Sequence, residues 1–347
     1  MPESMRVMSE RPRNAETPKR YLQSWITANS VFFDRNQGEI PEKAIELSEW
    51  RLTVDGDVNV SLDIDFETVL RMPKISVANT LECSGNSRSL LEQKASGNPW
   101  TIGGVGNAVW GGVWLKDLLA EAGVSPEAHH VAFEGFDRPL GKAQIKFIRS
   151  IPLEKAMSTT LLAYEMNGEP LPLKHGYPLR ALALGWTGAN CVKWLNRITV
   201  MKEPYRGFYM DNVYRVFDKG QDPKTGAVVT TISLKSIITQ PEANTVLPPG
   251  EITILGAAYS GEKTVEKVEV STDNGTTWRP ATFTGPHEPF AWRQWQYLYT
   301  VSQPGVYTIL SRATDSDGIK QPMQATWNKL GYNNNGVKEH GITFQVQ

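Results

Sequence analysis

Apolar and polar positions follow two different patterns along the chain, and the pattern changes near residue 230. In the earlier part, strand-like segments at residues 50–54 and 130–133 are mixed with a helical pattern over residues 113–123, which ends on Gly123. These strands and helices do not alternate regularly. The irregular order favours an α+β domain over a doubly wound parallel sheet.

From about residue 232 onward the apolar segments are short and either alternating or β-branched, as in residues 251–255, 265–270 and 305–310. Turn signals separate them, among them the run Asp273-Asn274-Gly275. Short strands at this spacing predict an immunoglobulin-like β-sandwich.

The length of the chain also favours two domains, because 347 residues exceed the size at which a single hydrophobic core stops growing. The opening residues are polar, contain Pro12 and Pro18 and show no sustained periodicity, which predicts a flexible segment. We therefore expect a flexible arm at residues 1–20, a first domain at residues 21–230 and a β-sandwich domain at residues 231–347.

Charge and composition exclude several classes of protein. The formal net charge is -1 and the positive residues are scattered, so a nucleic-acid or polybasic membrane binder is not expected. No stretch approaches the roughly 20 apolar residues that span a bilayer. The first residues contain no apolar signal core, so we expect a cytoplasmic location, or a periplasmic one if an export signal has been trimmed. The 2 cysteines, Cys83 and Cys191, form neither a disulfide framework nor a zinc-ligand spacing.

The familiar signatures of hydrolases and phosphotransferases are absent, which leaves Cys83 as the residue of chemical interest. It follows an apolar stretch and enters a turn-forming run, Ser84-Gly85-Asn86, that could present the sulfur at the end of a strand. Taken alone, such a cysteine is more often a small buried apolar residue. Arg88, however, lies five residues further on, and a nearby guanidinium favours the thiolate, the protein ligand best suited to a soft metal centre.

The segment around Cys83, residues 81–88 with the sequence LECSGNSR, resembles the molybdenum-binding cysteine motif of the sulfite oxidases and plant nitrate reductases. Further segments resemble that family in the same order along the chain: 33–36 (FDRN), 106–112 (GNAVWGG), 133–137 (FEGFD), 162–172 (LAYEMNGEPLP), 175–180 (HGYPLR) and 192–195 (VKWL). The resemblance covers roughly residues 21 to 347. It implies an α+β molybdopterin-binding domain followed by an immunoglobulin-like domain.

The resemblance assigns a cofactor site residue by residue. It implies a molybdenum–molybdopterin cofactor in which Cys83 is the one protein ligand of the metal. The residues implied to hold the molybdopterin are Phe33, Arg35, Asn36, Asp137, His175, Arg180, Cys191, Val192 and Lys193. Cationic side chains such as Arg180 and Lys193 suit a pterin that carries a phosphate tail.

The resemblance also implies a substrate site. Arg35 and Arg88 match two arginines that surround a bound oxyanion, and Tyr214 matches a tyrosine that hydrogen-bonds there, with Tyr205 as the less favoured candidate. Leu330 stands where the family has a further arginine, and neighbouring Lys329 offers no bidentate fork in its place.

We therefore predict an oxidoreductase that oxidises sulfite to sulfate, and its small-molecule partner is expected to be sulfite or a similar oxyanion. Two alternatives remain open: the same cofactor acting on another substrate, by reduction of an S-oxide or of nitrate, and a binding protein without enzymatic activity. The resemblance further implies a homodimer formed through the second domain. The resembling segments include no haem domain, and we therefore expect the electrons to pass to oxygen or to a separate carrier such as a cytochrome.

Overall fold

The computed structural model describes residues 4–347 and begins with a β-hairpin. Strands β1 (Arg6–Glu10) and β2 (Arg13–Glu16) pair antiparallel. The backbones of Ala15 and Asp34 exchange two hydrogen bonds of 2.9 Å, and the end of β2 is buried. The prediction of a flexible arm at residues 1–20 is therefore wrong for residues 4–20, because contacts distant in sequence hold this polar segment; residues 1–3 lie outside the described residues.

Two five-stranded sheets and three α-helices occupy residues 52–201, in the part of the molecule called the first half below. The strands are β3 (Leu52–Gly56), β4 (Leu62–Ile64), β5 (Ile75–Glu82), β6 (Val105–Trp114), β7 (His130–Gly135), β8 (Ile148–Pro152), β9 (Thr160–Met166), β10 (Glu169–Pro170), β11 (Arg180–Ala183) and β12 (Leu195–Met201), and the helices are α1 (Phe66–Arg71), α2 (Leu115–Ala122) and α3 (Leu153–Thr159). One sheet has the order β10-β9-β6-β5 with β11 also paired to β9, and the other has the order β4-β3-β12-β7-β8. Only β3 and β12 pair in parallel within these two sheets, as expected of an α+β domain.

Helix α2 shows how the apolar pattern sets the fold locally. Leu115, Leu118, Leu119 and Ala122 recur at helical spacing, are all buried and pack in the main core. Gly123 ends the helix in the left-handed conformation at φ 68°, and its N–H donates to the carbonyl of Leu119. The helix predicted over residues 113–123 and its glycine C-cap are confirmed.

The second half is a β-sandwich. Two short strands, β13 (Arg215–Val216) and β14 (Ala227–Val228), precede it. The strands of the sandwich are β15 (Lys235–Gln240), β16 (Val246–Leu247), β17 (Gly250–Tyr259), β18 (Val265–Ser271), β19 (Arg279–Pro280), β20 (Thr282–Thr284), β21 (Arg293–Val301), β22 (Gly305–Asp315) and β23 (Ile342–Val346). One sheet has the order β15-β17-β21-β20 and the other β16-β23-β22-β18-β19.

The alternation of apolar and polar residues along the strands explains why the two sheets of the sandwich pack face to face. Residues such as Ile254, Trp295, Ile309 and Phe344 form one buried cluster drawn from both sheets. The predicted strands at residues 251–255, 265–270 and 305–310 all fall within strands of the sandwich. Among residues 4–347, no helix is long and apolar enough to cross a membrane.

Candidate active site

A cavity in the first half of the molecule collects most of the residues that the sequence singled out. Its lining residues are Phe32, Phe33, Arg35, Asn36, Gln37, Leu81, Cys83, Ser84, Asp137, Phe147, His175, Arg180, Gly188, Ala189, Cys191, Lys193, Trp194 and Tyr214. Two predicted residues are not among them. Val192 is buried in the main core, and the Arg88 guanidinium donates to the backbone carbonyls of Asn98 and Leu330.

The loop that carries Cys83 has a fixed shape. β5 ends at Glu82, and the N–H of Cys83 then donates to the carbonyl of Gly104 at 2.8 Å. The N–H of Asn86 donates to the carbonyl of Cys83 at 2.8 Å, while the Asn86 amide oxygen accepts from the N–H of Gly104 at 2.9 Å. The thiol is free and 7% exposed at the cavity wall. The sequence thus presents one sulfur on a turn held at both ends.

Positive charge dominates one wall of the cavity. Arg180 donates through Nη1 to the carbonyl of His175 at 2.8 Å, and its Nε is buried without a hydrogen-bond partner in the described part of the chain. Burial lowers the pKa of Arg180 to about 10. Burial, and next the charge of Arg180, lowers the pKa of Lys193 to about 7. The Lys193 ammonium donates to Asn36 Oδ1 and, at 2.8 Å, to the carbonyl of Lys174.

Burial and neighbouring charges also act on one histidine and two aspartates close to this wall. Burial, followed by the charge of Lys174, holds the pKa of His175 well below its ordinary value, so its imidazole is neutral at pH 7. Burial raises the pKa of Asp137 to about 6, although Lys193 acts in the opposite direction. Asp34 is fully buried, and its carboxylate lies 3.0 Å from Arg13 Nε and 3.3 Å from Lys174 Nζ.

These groups fit the cofactor that the sequence implies. Arg180 has an unpaired buried N–H, and the charged form of Lys193 is disfavoured by burial and next by the positive charge of Arg180. A bound anion would satisfy both, and a molybdopterin phosphate is such an anion. The thiol of Cys83 in the same cavity is a suitable ligand for a soft metal. The residues present therefore match a molybdopterin with a thiolate-ligated molybdenum.

Tyr214 borders the same cavity at its aromatic side. It follows a π-helical turn, Tyr209–Val213, a feature that occurs often at functional sites. Its hydroxyl oxygen accepts from Gln37 Nε2 at 2.6 Å and lies 3.5 Å from Arg35 Nη2. Its ring stacks on that of Tyr332 with centroids 5.6 Å apart. Tyr205, the less favoured candidate, lines a different cavity.

Arg88 interacts with the second half of the chain. Its Nε donates to the carbonyl of Leu330 and its Nη1 to the carbonyl of Asn98, each at 2.6 Å. Its guanidinium carbon lies 5.5 Å from the centroid of the Tyr332 ring. Added Cβ atoms at Gly85 and Gly97 would lie within 2.8 Å of this guanidinium, so the two glycines make room for it. A direct contact between Arg88 and substrate stays a prediction.

Leu330 is not one of the residues that line the cavity. Its side chain is half-buried and packs against the apolar cluster that contains Tyr214 and Tyr332. The position where the family resemblance expects an arginine is therefore apolar in this chain.

Two residues that shape the site were not predicted from the sequence. Arg149 is fully buried, lies 5.1 Å from the centroid of the Tyr214 ring and donates to Asn190 Oδ1 at 3.0 Å. Asn14 accepts from Arg35 at 3.1 Å and from the N–H of Asn36 at 3.0 Å. Neither belongs to a recognisable motif, and Asn14 fell in the segment expected to be flexible. The sequence offered no local signal for either.

Comparisons with known proteins agree with this geometry. Residues 37–209 match the oxidoreductase molybdopterin binding domain, and residues 227–343 match the Mo-co oxidoreductase dimerisation domain. Sulfite oxidase of Gallus gallus is 37% identical over 94% of this chain and 75% of its own length. Mitochondrial sulfite oxidase of Mus musculus is 36% identical over 99% of this chain, which spans about two thirds (66%) of that protein.

A solved structure extends the likeness to three dimensions. The sulfane dehydrogenase SoxCD of Paracoccus pantotrophus superposes with a TM-score of 0.84 at 29% identity, covering 98% of this chain and 88% of that chain. The predicted fold class, the molybdenum–molybdopterin cofactor and an oxidoreductase activity are confirmed. The chain belongs to the sulfite oxidase family of molybdopterin-binding oxidoreductases.

Proposed function

We propose that this enzyme oxidises sulfite to sulfate in the cavity lined by Cys83, Arg35 and Tyr214. The observation that carries the proposal is the convergence of the Cys83 thiol, the Arg35 guanidinium and the Tyr214 hydroxyl on the same cavity. The likeness to the sulfite oxidases of Gallus gallus and Mus musculus supports it.

Each residue has a role that follows from its position. Cys83 would ligate the metal, and Arg180, Lys193, His175 and Asn36 would hold the pterin and its phosphate. When bound, the cofactor supplies the two-electron redox chemistry that no side chain provides. Formation of sulfate from sulfite adds one oxygen atom from water and releases two protons and two electrons.

Arg35 and Tyr214 would act on the substrate itself. The guanidinium of Arg35 offers charge-assisted hydrogen bonds to the anion, which cannot be buried cheaply without them. Because Gln37 donates to the Tyr214 oxygen, the tyrosine's own proton is free to point elsewhere. Tyr214 can therefore donate a hydrogen bond to a sulfite oxygen or take part in proton movement.

Replacement of Cys83 tests the proposal directly. Wild type loaded with cofactor should reduce an electron-accepting dye when millimolar sulfite is added. Cys83→Ser should lose this activity and keep much of its pterin, because the pterin contacts remain. Cys191→Ser is the matched control, since this buried thiol lines the same cavity and the family resemblance implies that Cys191 contacts the cofactor through its backbone, which the substitution keeps. Full activity in Cys83→Ser would refute the ligand assignment, and no sulfite turnover by loaded wild type would refute the substrate.

One observation favours a second candidate substrate. Two arginines were predicted to bind the substrate, and Arg35 lines the cavity whereas Arg88 donates to backbone carbonyls. Leu330 supplies no further positive charge. A less highly charged sulfur compound, such as an S-oxide to be reduced or the sulfane sulfur named for SoxCD, would suit such a site. Dye-linked assays with sulfite, an S-oxide, nitrate and a sulfane compound on one preparation separate these activities.

We further propose that two copies of the chain associate through residues 227–343 and that electrons leave to a separate carrier such as a cytochrome. The match of that segment to a dimerisation domain supports the first point. Val246 and Val306 lie on either side of Gln345 in one sheet and are 56% and 71% exposed, and association through this face would cover both side chains. Mass measurement of the native particle tests the dimer, and the rate of cytochrome reduction by the sulfite-reduced enzyme tests the carrier. A cytoplasmic location stays a prediction that cell fractionation tests.

A further inference from the structure

A buried ion pair joins the two halves of the molecule directly beside Cys83. Glu82 is the last residue of β5, and its carboxylate accepts from Lys235 Nζ at 2.6 Å and from the hydroxyl of Tyr259 at 2.9 Å. The side chains of Lys235 and Glu82 are 1% and 5% exposed. Lys235 and Tyr259 both belong to the β-sandwich, on β15 and β17.

The same carboxylate also reaches back to the loop that follows it. Asn86 Nδ2 donates to Glu82 Oε1 at 2.9 Å, so the residues on either side of the Cys83 turn are linked through one oxygen. That oxygen is the acceptor for Lys235 and Tyr259 as well. A shift of Lys235 must therefore disturb a contact that closes the turn around the thiol.

A second set of contacts holds the loop from the C-terminal segment. The N–H of Asn333 donates to the carbonyl of Ser84 at 3.0 Å, and Asn334 Nδ2 donates to the carbonyl of Ser87 at 2.7 Å. The ring Nε2 of His340 lies 2.8 Å from the hydroxyl of Ser87. The sandwich thus contacts the thiol loop on both sides of Cys83, through the Glu82 carboxylate before it and through Ser84 and Ser87 after it.

A contribution to stability does not by itself explain the buried ion pair between Glu82 and Lys235. Burying two charges costs several kcal/mol per ion by typical estimates, and well-packed apolar residues of the same volume often serve the fold as well or better. What an apolar pair lacks is direction, because hydrogen bonds to one oxygen fix both distance and angle.

We infer that Glu82 and Lys235 are positioning residues that set the place and orientation of the Cys83 sulfur in the cavity. The β-sandwich therefore completes the catalytic site in addition to any part it has in association between chains. The inference rests on the proposed role of Cys83 as metal ligand and does not depend on which substrate is oxidised.

The first test needs neither cofactor nor substrate. In a Cys191→Ser background Cys83 is the one remaining cysteine of the chain, so its alkylation rate in cofactor-free protein reports the exposure of this thiol alone. Lys235→Met should raise that rate at least threefold at a temperature where both proteins are folded, because the loop loses a fixed contact. A rate within twofold of the parent would overturn the inference.

A matched control separates position from stability. Lys155 is also buried, and it pairs with Glu262 across the two halves at 2.7 Å. Its ammonium also donates to the Thr159 hydroxyl and to the carbonyl of Leu184, both of which lie outside the Cys83 loop. Lys155→Met should lower the melting temperature and leave the Cys83 alkylation rate unchanged. If both lysine variants raise the rate equally, the Glu82 pair is merely structural and the inference fails.

The second test uses the loaded enzyme. Lys235→Met should keep its molybdenum content within twofold of wild type, shift the paramagnetic resonance spectrum of the dithionite-reduced metal and lower kcat about tenfold with little change in KM. Lys235→Arg, which keeps the charge, should restore part of each property. An unchanged spectrum and kcat in a molybdenum-loaded Lys235→Met would overturn the inference, whereas loss of sulfite turnover in the wild type would affect only the proposed substrate.

Should Lys235→Met fail to fold, Tyr259→Phe decides the question. It removes a single hydroxyl from the same carboxylate while keeping the ring. The expected change has the same sign and a smaller size in both the alkylation rate and the spectrum. No change in either would overturn the inference.

Discussion

Removal of the Lys193 charge should stabilise the protein when no cofactor is bound. Burial, and next the charge of Arg180, lowers the pKa of Lys193 from 10.5 to about 7. One pKa unit corresponds to ~1.4 kcal/mol, so this shift disfavours the folded state at pH 7 by roughly 4 kcal/mol. Lys193→Met also loses two hydrogen bonds, to Asn36 Oδ1 and to the carbonyl of Lys174, which together contribute about 2 kcal/mol. The net expectation is a gain of about 2 kcal/mol in the free energy of unfolding at pH 7.

The sign of the pH dependence makes this prediction specific. Since the folded pKa lies below the unfolded one, the unfolded chain binds more protons between pH 7 and pH 10.5. Wild-type stability should therefore rise across this window, whereas the methionine variant lacks the titrating group. The advantage of Lys193→Met should shrink by roughly 2 kcal/mol between pH 7 and pH 9.

Urea unfolding of cofactor-free protein, prepared from a host that cannot make molybdopterin, measures both quantities. Lys202→Met is the control, because Lys202 is an exposed lysine paired with Glu127, and it should change stability by less than about 0.5 kcal/mol. When the same genes are expressed in a pterin-competent host, Lys193→Met should retain less pterin than wild type. A variant that is less stable than wild type at pH 7, by an amount that does not change at pH 9, would refute the reasoning.

Three further predictions concern the same cavity. Tyr214→Phe should lower kcat about 100-fold with little change in melting temperature, since the ring stack is kept and the hydroxyl that meets Gln37 is lost; unchanged turnover would remove Tyr214 from the reaction. Leu330→Arg should lower the KM for sulfite about tenfold, because the guanidinium can form a charge-assisted hydrogen bond to the anion. Leu330→Gln is the uncharged control. Equal KM values in wild type and both variants would show that a side chain at this position does not reach the anion. Asp137→Asn should change how the stability of cofactor-free protein depends on pH. The pKa of Asp137 in the folded protein, about 6, lies above the usual 3.8, so wild type should lose stability relative to the variant as the pH rises from 4 to 6. Urea midpoints that differ by a constant amount across that range would contradict the raised pKa.

Much of the site could be predicted from the sequence because its residues occur in short segments with recognisable composition. Cys83, Arg180 and Lys193 each belong to such a segment, and all three line one cavity. The helix ending at Gly123 and the alternating strands of the sandwich followed from periodicity, which depends only on neighbours along the chain.

Contacts between residues distant in sequence could not be predicted in this way. Arg149 reaches the Tyr214 ring from a strand with no motif of its own. Lys235 pairs with Glu82 across 153 positions of the chain, and no local pattern indicates such a pairing. Arg88 was assigned to the substrate by analogy, whereas two of its N–H groups bind backbone carbonyls.

The N-terminal hairpin has a practical consequence for anyone who shortens the gene. Its strand β2 carries Asn14, which binds Arg35 and Asn36 at the edge of the cavity, and Arg13, which pairs with the buried carboxylate of Asp34. The polar sequence of residues 1–20 suggests that a truncation starting at Tyr21 would leave the fold intact. The truncation would remove Arg13, one of the cations beside Asp34, and Asn14, which holds Arg35 and Asn36 in the cavity wall. A low cofactor content in the truncated enzyme would then be caused by the missing hairpin and not by the chemistry of the site.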